Sequence, residues 1–197
     1  MAELSNLEQA FAAIDAANAA DTRTTMVDGT PLPYELVYGR RMSAVLASFA
    51  PASAPELELA ARAQHLERWA IPRSDYPMDR VGYLTWRNDQ KKRHAARAGE
   101  ILGPLGFTNE SIQRVQFLLE KKRLKQDPDT QTLEDVICLV FLQFYALEFA
   151  ASHAEEKVVD ILQKTWGKMS AEGQAAALQL DLPIAVGELV RKALADA

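Results

Sequence analysis

The chain is poor in the residues from which common cofactor sites are made. It has one cysteine, Cys138, in the apolar run Val136-Ile137-Cys138-Leu139-Val140, and three histidines. One thiol closes no internal disulfide and builds no cysteine-based metal site. A Gly-rich phosphate loop, a Gly-x-Ser-x-Gly elbow, a His-Glu-x-x-His pair and a zinc ribbon are all missing from the sequence. The longest apolar runs are interrupted before the roughly eighteen residues that a membrane helix needs. Met1-Ala2-Glu3-Leu4-Ser5 has no basic leader, so a cytoplasmic protein with no membrane partner is expected. No stretch of Gly, Ser or Pro is long enough for a flexible linker, and one domain over residues 1–197 is the expectation.

What the chain does have is core-forming material. Hydrophobic residues make up 48% and charged residues 25%, a balance that excludes disorder and supports a packed interior. The net charge of −5 hides an asymmetry. Residues 1–39 carry six acids and one base, and residues 134–197 carry ten acids and five bases. The middle, 40–133, holds 16 of the 22 Lys and Arg against 11 acids, which gives +5. An anionic partner should meet that middle segment.

Hydrophobic spacing predicts an all-α protein. Leu7, Phe11, Ile14 and Ala17 mark a helix over 4–20. Asp28-Gly29-Thr30-Pro31 is turn chemistry inside a break from 21 to 33, with no convincing strand pair and at most a short extended piece. Pro33 and Pro55 suit the first positions of two helices, the second running through His65 and Trp69 to Pro72. A loop with two prolines over 71–78 precedes a long helix from Asp79, as N-cap, to Leu102. Thr108 or Asn109 opens the next, which continues to about Arg123. Thr132-Leu133-Glu134-Asp135 reads as a capping box for an apolar helix over 136–149, and Ser152-His153-Ala154-Glu155 as another. Helices near 171–180 and 183–195 finish the chain.

Three constellations could carry chemistry. Arg62, His65 and Arg68 or Trp69 lie three to four residues apart, so one helix face would present an imidazole between guanidinium groups. Such an imidazole is held neutral, as a general base or metal ligand must be, although a lone helical histidine is as often a structural residue. Arg87, Lys91 and His94 share another face, where cations and an imidazole can converge on phosphate, sulfate or carboxylate. Glu134 and Asp135 form the third, since capping needs only one of two adjacent acids and the other is available as a metal ligand.

The order of these features resembles the HD phosphohydrolase superfamily over about residues 35–145. The likeness rests on Leu59-Ala60-Ala61-Arg62-Ala63-Gln64-His65, on His94-Ala95-Ala96-Arg97-Ala98-Gly99-Glu100-Ile101-Leu102, on Leu105 to Val115, and on Glu134-Asp135. It implies a helical HD-like core with the helices of 152–197 packed on it, and a metal-dependent hydrolase of phosphate esters. His65 matches the His of that family's His-Asp doublet and Asp135 its closing Asp, while His94 is similar to a further His of some members. Leu66 stands where the doublet has Asp, and Tyr38-Gly39-Arg40 occupy the place of the opening His. Along nearly its full length the chain is similar to the domain-of-unknown-function family numbered four-two-zero-two, through Arg62-Ala63-Gln64-His65, Ile71 to Pro77 and Gln131 to Asp135.

Together these readings give a degenerate HD-like enzyme acting on a small phosphorylated or otherwise anionic substrate. The resemblance implies a divalent metal on His65, His94 and Asp135, with Glu134 as a further catalytic or ligand candidate. Arg62, Arg68, Arg73, Lys91, Lys121 and Lys122 are the residues expected to hold the anion, and Trp69, Tyr76 and Trp86 to pack beside it. The alternative is a non-catalytic helical module that binds a nucleotide, RNA or an acidic protein through the basic middle. A di-iron oxygenase is disfavoured by the small number of histidines. Tyr34 to Tyr38 and the apolar C-terminal helices are candidate faces for a homo-oligomer.

Overall fold

Helices begin where a short polar side chain can take up the amide groups that a first turn leaves unpaired. In the computed structural model, which describes residues 5–195, Ser5 opens α1 (Asn6–Asn18) with a capping box completed by Glu8. A hairpin follows, with β1 (Thr24–Val27) antiparallel to β2 (Thr30–Pro33) and Thr24 opposite Pro33. The hairpin corrects the expectation of no strand pair. Asp28 and Gly29 both take positive φ in a two-residue turn, the conformation that twists two short strands into register.

Pro33 leads into α2 (Tyr34–Phe49), and Pro55 is the first residue of α3 (Pro55–Arg62). The predicted run of α3 through Trp69 is a correction. The helix ends at Arg62, and Glu67 takes a left-handed φ of 51° before a tight turn over Arg68–Ala70. Asn18 Oδ1 accepts the Glu67 amide at 2.9 Å, so a side chain from α1 fixes the departure from helical geometry. The Asp79 cap holds as expected, opening α4 (Arg80–Leu102), and Thr108 caps α5 (Asn109–Leu119).

Two further expectations are corrected. The helix expected from Thr132 begins a turn earlier, as α6 (Pro128–Val140), because Asp127 caps it and Pro128 supplies the first residue. Glu134 and Asp135 therefore lie mid-helix and buried rather than in a first turn. A π-helical turn over Phe141–Tyr145 joins α6 to α7 (Ala146–Ala151). Ser152 does not cap α8 (Glu155–Trp166); its hydroxyl instead donates to carbonyls of α7. Ser170 caps α9 (Ala171–Ala177), and α10 (Ile184–Ala195) ends the described chain.

The chain is thus predominantly helical, with ten α-helices and one hairpin among the described residues. Residues 1–123 and 124–197 form two units. In the first, α4 packs along α5, and α3 sits against α2 and α5. Its core holds Ile14, Met42, Leu46, Leu59, Leu102 and Leu118, each nearly without exposure, and each such side chain contributes about 2 kcal/mol. In the second, α8 packs on α10 and α6 on α9, around Leu133, Val136, Leu162 and Val186. No described helix is long and apolar enough to cross a membrane.

Candidate functional site

In the first unit a glycine allows one of the close helix approaches. A Cβ on Gly39 would stand 2.8 Å from the Arg62 carbonyl, so only glycine lets α2 come this close to the end of α3. The approach lays Tyr38 flat on His65, with ring centroids 3.8 Å apart and planes within 10°. One turn earlier, Glu35 is 1% exposed and meets His65 Nδ1 through Oε2 at 3.2 Å. Arg23, carried by the hairpin, donates to the other oxygen, Glu35 Oε1, at 2.7 Å and also to Asp21.

This arrangement fixes charge states. Burial raises the Glu35 pKa, and the hydrogen bond from Arg23 and the charge of Arg68 oppose that rise. With Arg23 bound, Glu35 is a carboxylate and His65 Nδ1 donates to it, which leaves His65 Nε2 as a bare lone pair. Burial first, then the cations Arg68, Lys121, Arg23 and Arg87, hold the His65 pKa well below its usual value. Burial also works against the carboxylate of Asp21, but its hydrogen bonds to Arg23 prevail and lower its pKa.

His94 comes from the middle of α4, 6.2 Å from His65 between ring centroids. Its Nδ1 donates to the Leu66 carbonyl at 2.7 Å, and since a carbonyl only accepts, Nε2 carries the lone pair. That Nε2 is buried without a partner. Burial and the neighbouring His65 push the His94 pKa down to about 3.

The cations near these imidazoles divide into two groups. Arg62 is held bidentately by Asp15 at 2.7 and 2.8 Å, tying α3 to α1. Arg73 donates to the Tyr76, Pro77 and Asp79 carbonyls and so shapes the 71–79 loop. Lys122 is exposed and paired with Glu120. Lys91 is half-buried on α4, and Lys121 follows α5 with φ of 56°. Arg68 is different. It is half-buried, lies 4.5 Å over the Trp86 ring, and makes no ion pair with a carboxylate among the described residues. Burial lowers its pKa, and the charge of Glu35 only partly opposes that fall. Arg87, 5.7 Å over Tyr83, is likewise without a carboxylate partner among the described residues.

The aromatic candidates are supports. Trp86 Nε1 donates to the Ile71 carbonyl and Tyr76 to Asp89, while Trp69 is half-buried in the turn that carries Arg68. His65, His94 and Arg68 are therefore brought together in the first unit. Asp135 and Glu134 belong to the second. Both oxygens of Asp135 are bound there by Ser170, through its amide at 2.8 Å and its hydroxyl at 2.6 Å, and Gln131 adds a third bond at 3.1 Å. No group of three or more His, Cys, Asp or Glu among the described residues is arranged to hold a metal ion. Of the residues expected to hold a metal, Asp135 has both oxygens already engaged by Ser170 and Gln131.

Glu35, Arg23 and Asp21 complete the site without having drawn notice in the sequence. The only signal for Glu35 is an acid inside Tyr34-Glu35-Leu36-Val37-Tyr38, where a surface helix would carry its acids on the outer face.

No curated protein and no solved structure matches the chain. A family model matches residues 8–190, and the chain belongs to that family, a domain of unknown function, DUF4202.

Proposed function

We propose that the chain is an enzyme acting on a small phosphorylated or otherwise anionic substrate, held by Arg68 and Arg87 beside the two neutral imidazoles. The observation that carries this reading is the half-buried Arg68 without a carboxylate partner, next to a histidine oriented by a buried carboxylate. A half-buried guanidinium without an ion pair is held at some cost, and an arriving anion relieves that cost. Phosphate or carboxylate oxygens match the planar donors of a guanidinium.

For a phosphate ester, His65 Nε2 takes the proton of the attacking water. Glu35 holds the ring in the tautomer that leaves Nε2 free and stabilises the imidazolium that forms. Arg68 and Arg87 neutralise charge on the phosphoryl oxygens as the bond to the leaving group breaks. Tyr38, stacked on His65, limits the ring to one orientation. No step is assigned to a metal.

Calorimetric titration with inorganic phosphate tests the anion site. The pair Arg68→Ala with Arg87→Ala should weaken binding at least about 10-fold with the helical fold intact. Phosphate release from a panel of esters tests the chemistry, and His65→Gln should lower kcat by about 10² to 10⁴. Phosphate affinity unchanged in the double variant would overturn the reading. Binding with no turnover of any ester would favour the alternative, a non-catalytic module for a nucleotide, RNA or acidic protein.

A further inference from the structure

Beside the guanidinium groups lie two buried acceptors that no described residue satisfies. His94 is 2% exposed, and its Nδ1 is fixed as a donor by the Leu66 carbonyl, which leaves Nε2 able only to accept. Gln90 is 1% exposed, and its amide nitrogen donates to the Arg68 carbonyl at 2.8 Å and to the Ile71 carbonyl at 2.9 Å. Flipping that amide would set oxygen against two carbonyl oxygens, so the orientation is determined, and Oε1 is an acceptor without a partner.

The two acceptors share a stripe. Gln90 and His94 are four residues apart on α4, and Arg87 is one turn before Gln90, so all three lie along one face of the helix. The stripe therefore runs from a cation to two lone pairs. Gln90 also anchors the backbone of Arg68, which joins the acceptor pair to the second cation.

We infer that the ligand of this site carries hydroxyl donors next to its anionic group, as in a sugar or polyol phosphate, with hydroxyls donating to His94 Nε2 and Gln90 Oε1. This deepens the anion-site reading above and rests on it. Donors of the amine class are disfavoured because an ammonium would share the site with Arg68, Arg87, Arg23 and Lys121, all of which act on His65. Alkyl phosphates satisfy the guanidinium groups and leave both acceptors desolvated, which costs affinity.

Calorimetry with three probes tests the inference: inorganic phosphate, ribose 5-phosphate, and pentyl phosphate, which keeps the dianion and the five carbons without hydroxyls. The folded wild-type chain should bind ribose 5-phosphate at least about 10-fold more tightly than pentyl phosphate. His94→Leu and, separately, Gln90→Met should each shrink that ratio, read against each variant's own affinity for inorganic phosphate because Gln90 also anchors the Arg68 backbone. Because the wild-type comparison needs no variant, a misfolded His94→Leu does not block the test. Equal affinity for the two esters overturns the hydroxyl inference and leaves the anion site standing. If none of the three probes binds, both fall.

Discussion

Asp135 in one unit and the pair His94 and Gln90 in the other are buried in opposite ways. In residues 124–197, Asp135 is 2% exposed and both its oxygens are engaged, by the Ser170 amide and hydroxyl and by Gln131. In residues 1–123, His94 and Gln90 are as deeply buried, yet each keeps an atom without a partner, and Arg68 makes no ion pair with a carboxylate among the described residues. A saturated polar group holds helices together. One left open inside a stable fold is held at a cost, and binding is the ordinary compensation for that cost.

Removing the saturated group should do the greatest harm to folding. Asp135→Ala orphans three donors at once, and a loss of about 4 kcal/mol is expected from chemical denaturation, with inorganic phosphate affinity unaffected if the contrast holds. Acidification should act on the open side. An imidazole kept neutral in the fold takes up its proton on unfolding, so the stability contributed by His94 and His65 is full above the unfolded value of 6.5 and is lost as pH falls toward their lowered folded values. Between pH 7.5 and 5.5 the His94 imidazole should remove about 1 kcal/mol, and His65 should add to the loss in the same direction. Glu35 works the other way, since its raised value lets the folded state gain a proton before the unfolded chain does. Urea midpoints measured across that range check the sign, and His94→Gln should flatten the slope.

A smaller effect sharpens the saturated side. A Cβ on Gly173 would come within 2.6 Å of the Asp135 carboxyl, so Gly173→Ala should cost about 2 kcal/mol by pushing α9 away from α6. A midpoint equal to wild type would show that Ser170 and Asp135 can separate without consequence.

Much of the helical plan was legible because caps and prolines act locally. Asp79, Thr108 and Pro55 each announce a helix start that needs only neighbours in sequence. The errors came where a distant side chain decided. Asn18 ends the turn at Glu67 from 49 residues away, and no periodicity in Arg62 to Trp69 records that bond. Thr132 and Ser152 had the right spacing for capping boxes, but Asp127-Pro128 offered a stronger start and the carbonyls of α7 a nearer acceptor. In the site, His65, His94 and Arg68 were legible as residue types, since imidazoles are scarce and set among cations. Glu35 was not, because it meets His65 across 30 residues and depends on the hairpin for its cation.

The hairpin thus does more than connect two helices. Arg23 keeps half of its side chain in water while its guanidinium governs a carboxylate that solvent hardly reaches. A surface ion pair weakens with salt, so ionic strength acting outside the fold can loosen the Glu35 carboxylate within it and, one bond further on, the ring of His65. The setting of the interior base is thereby left in the hands of whatever surrounds the protein.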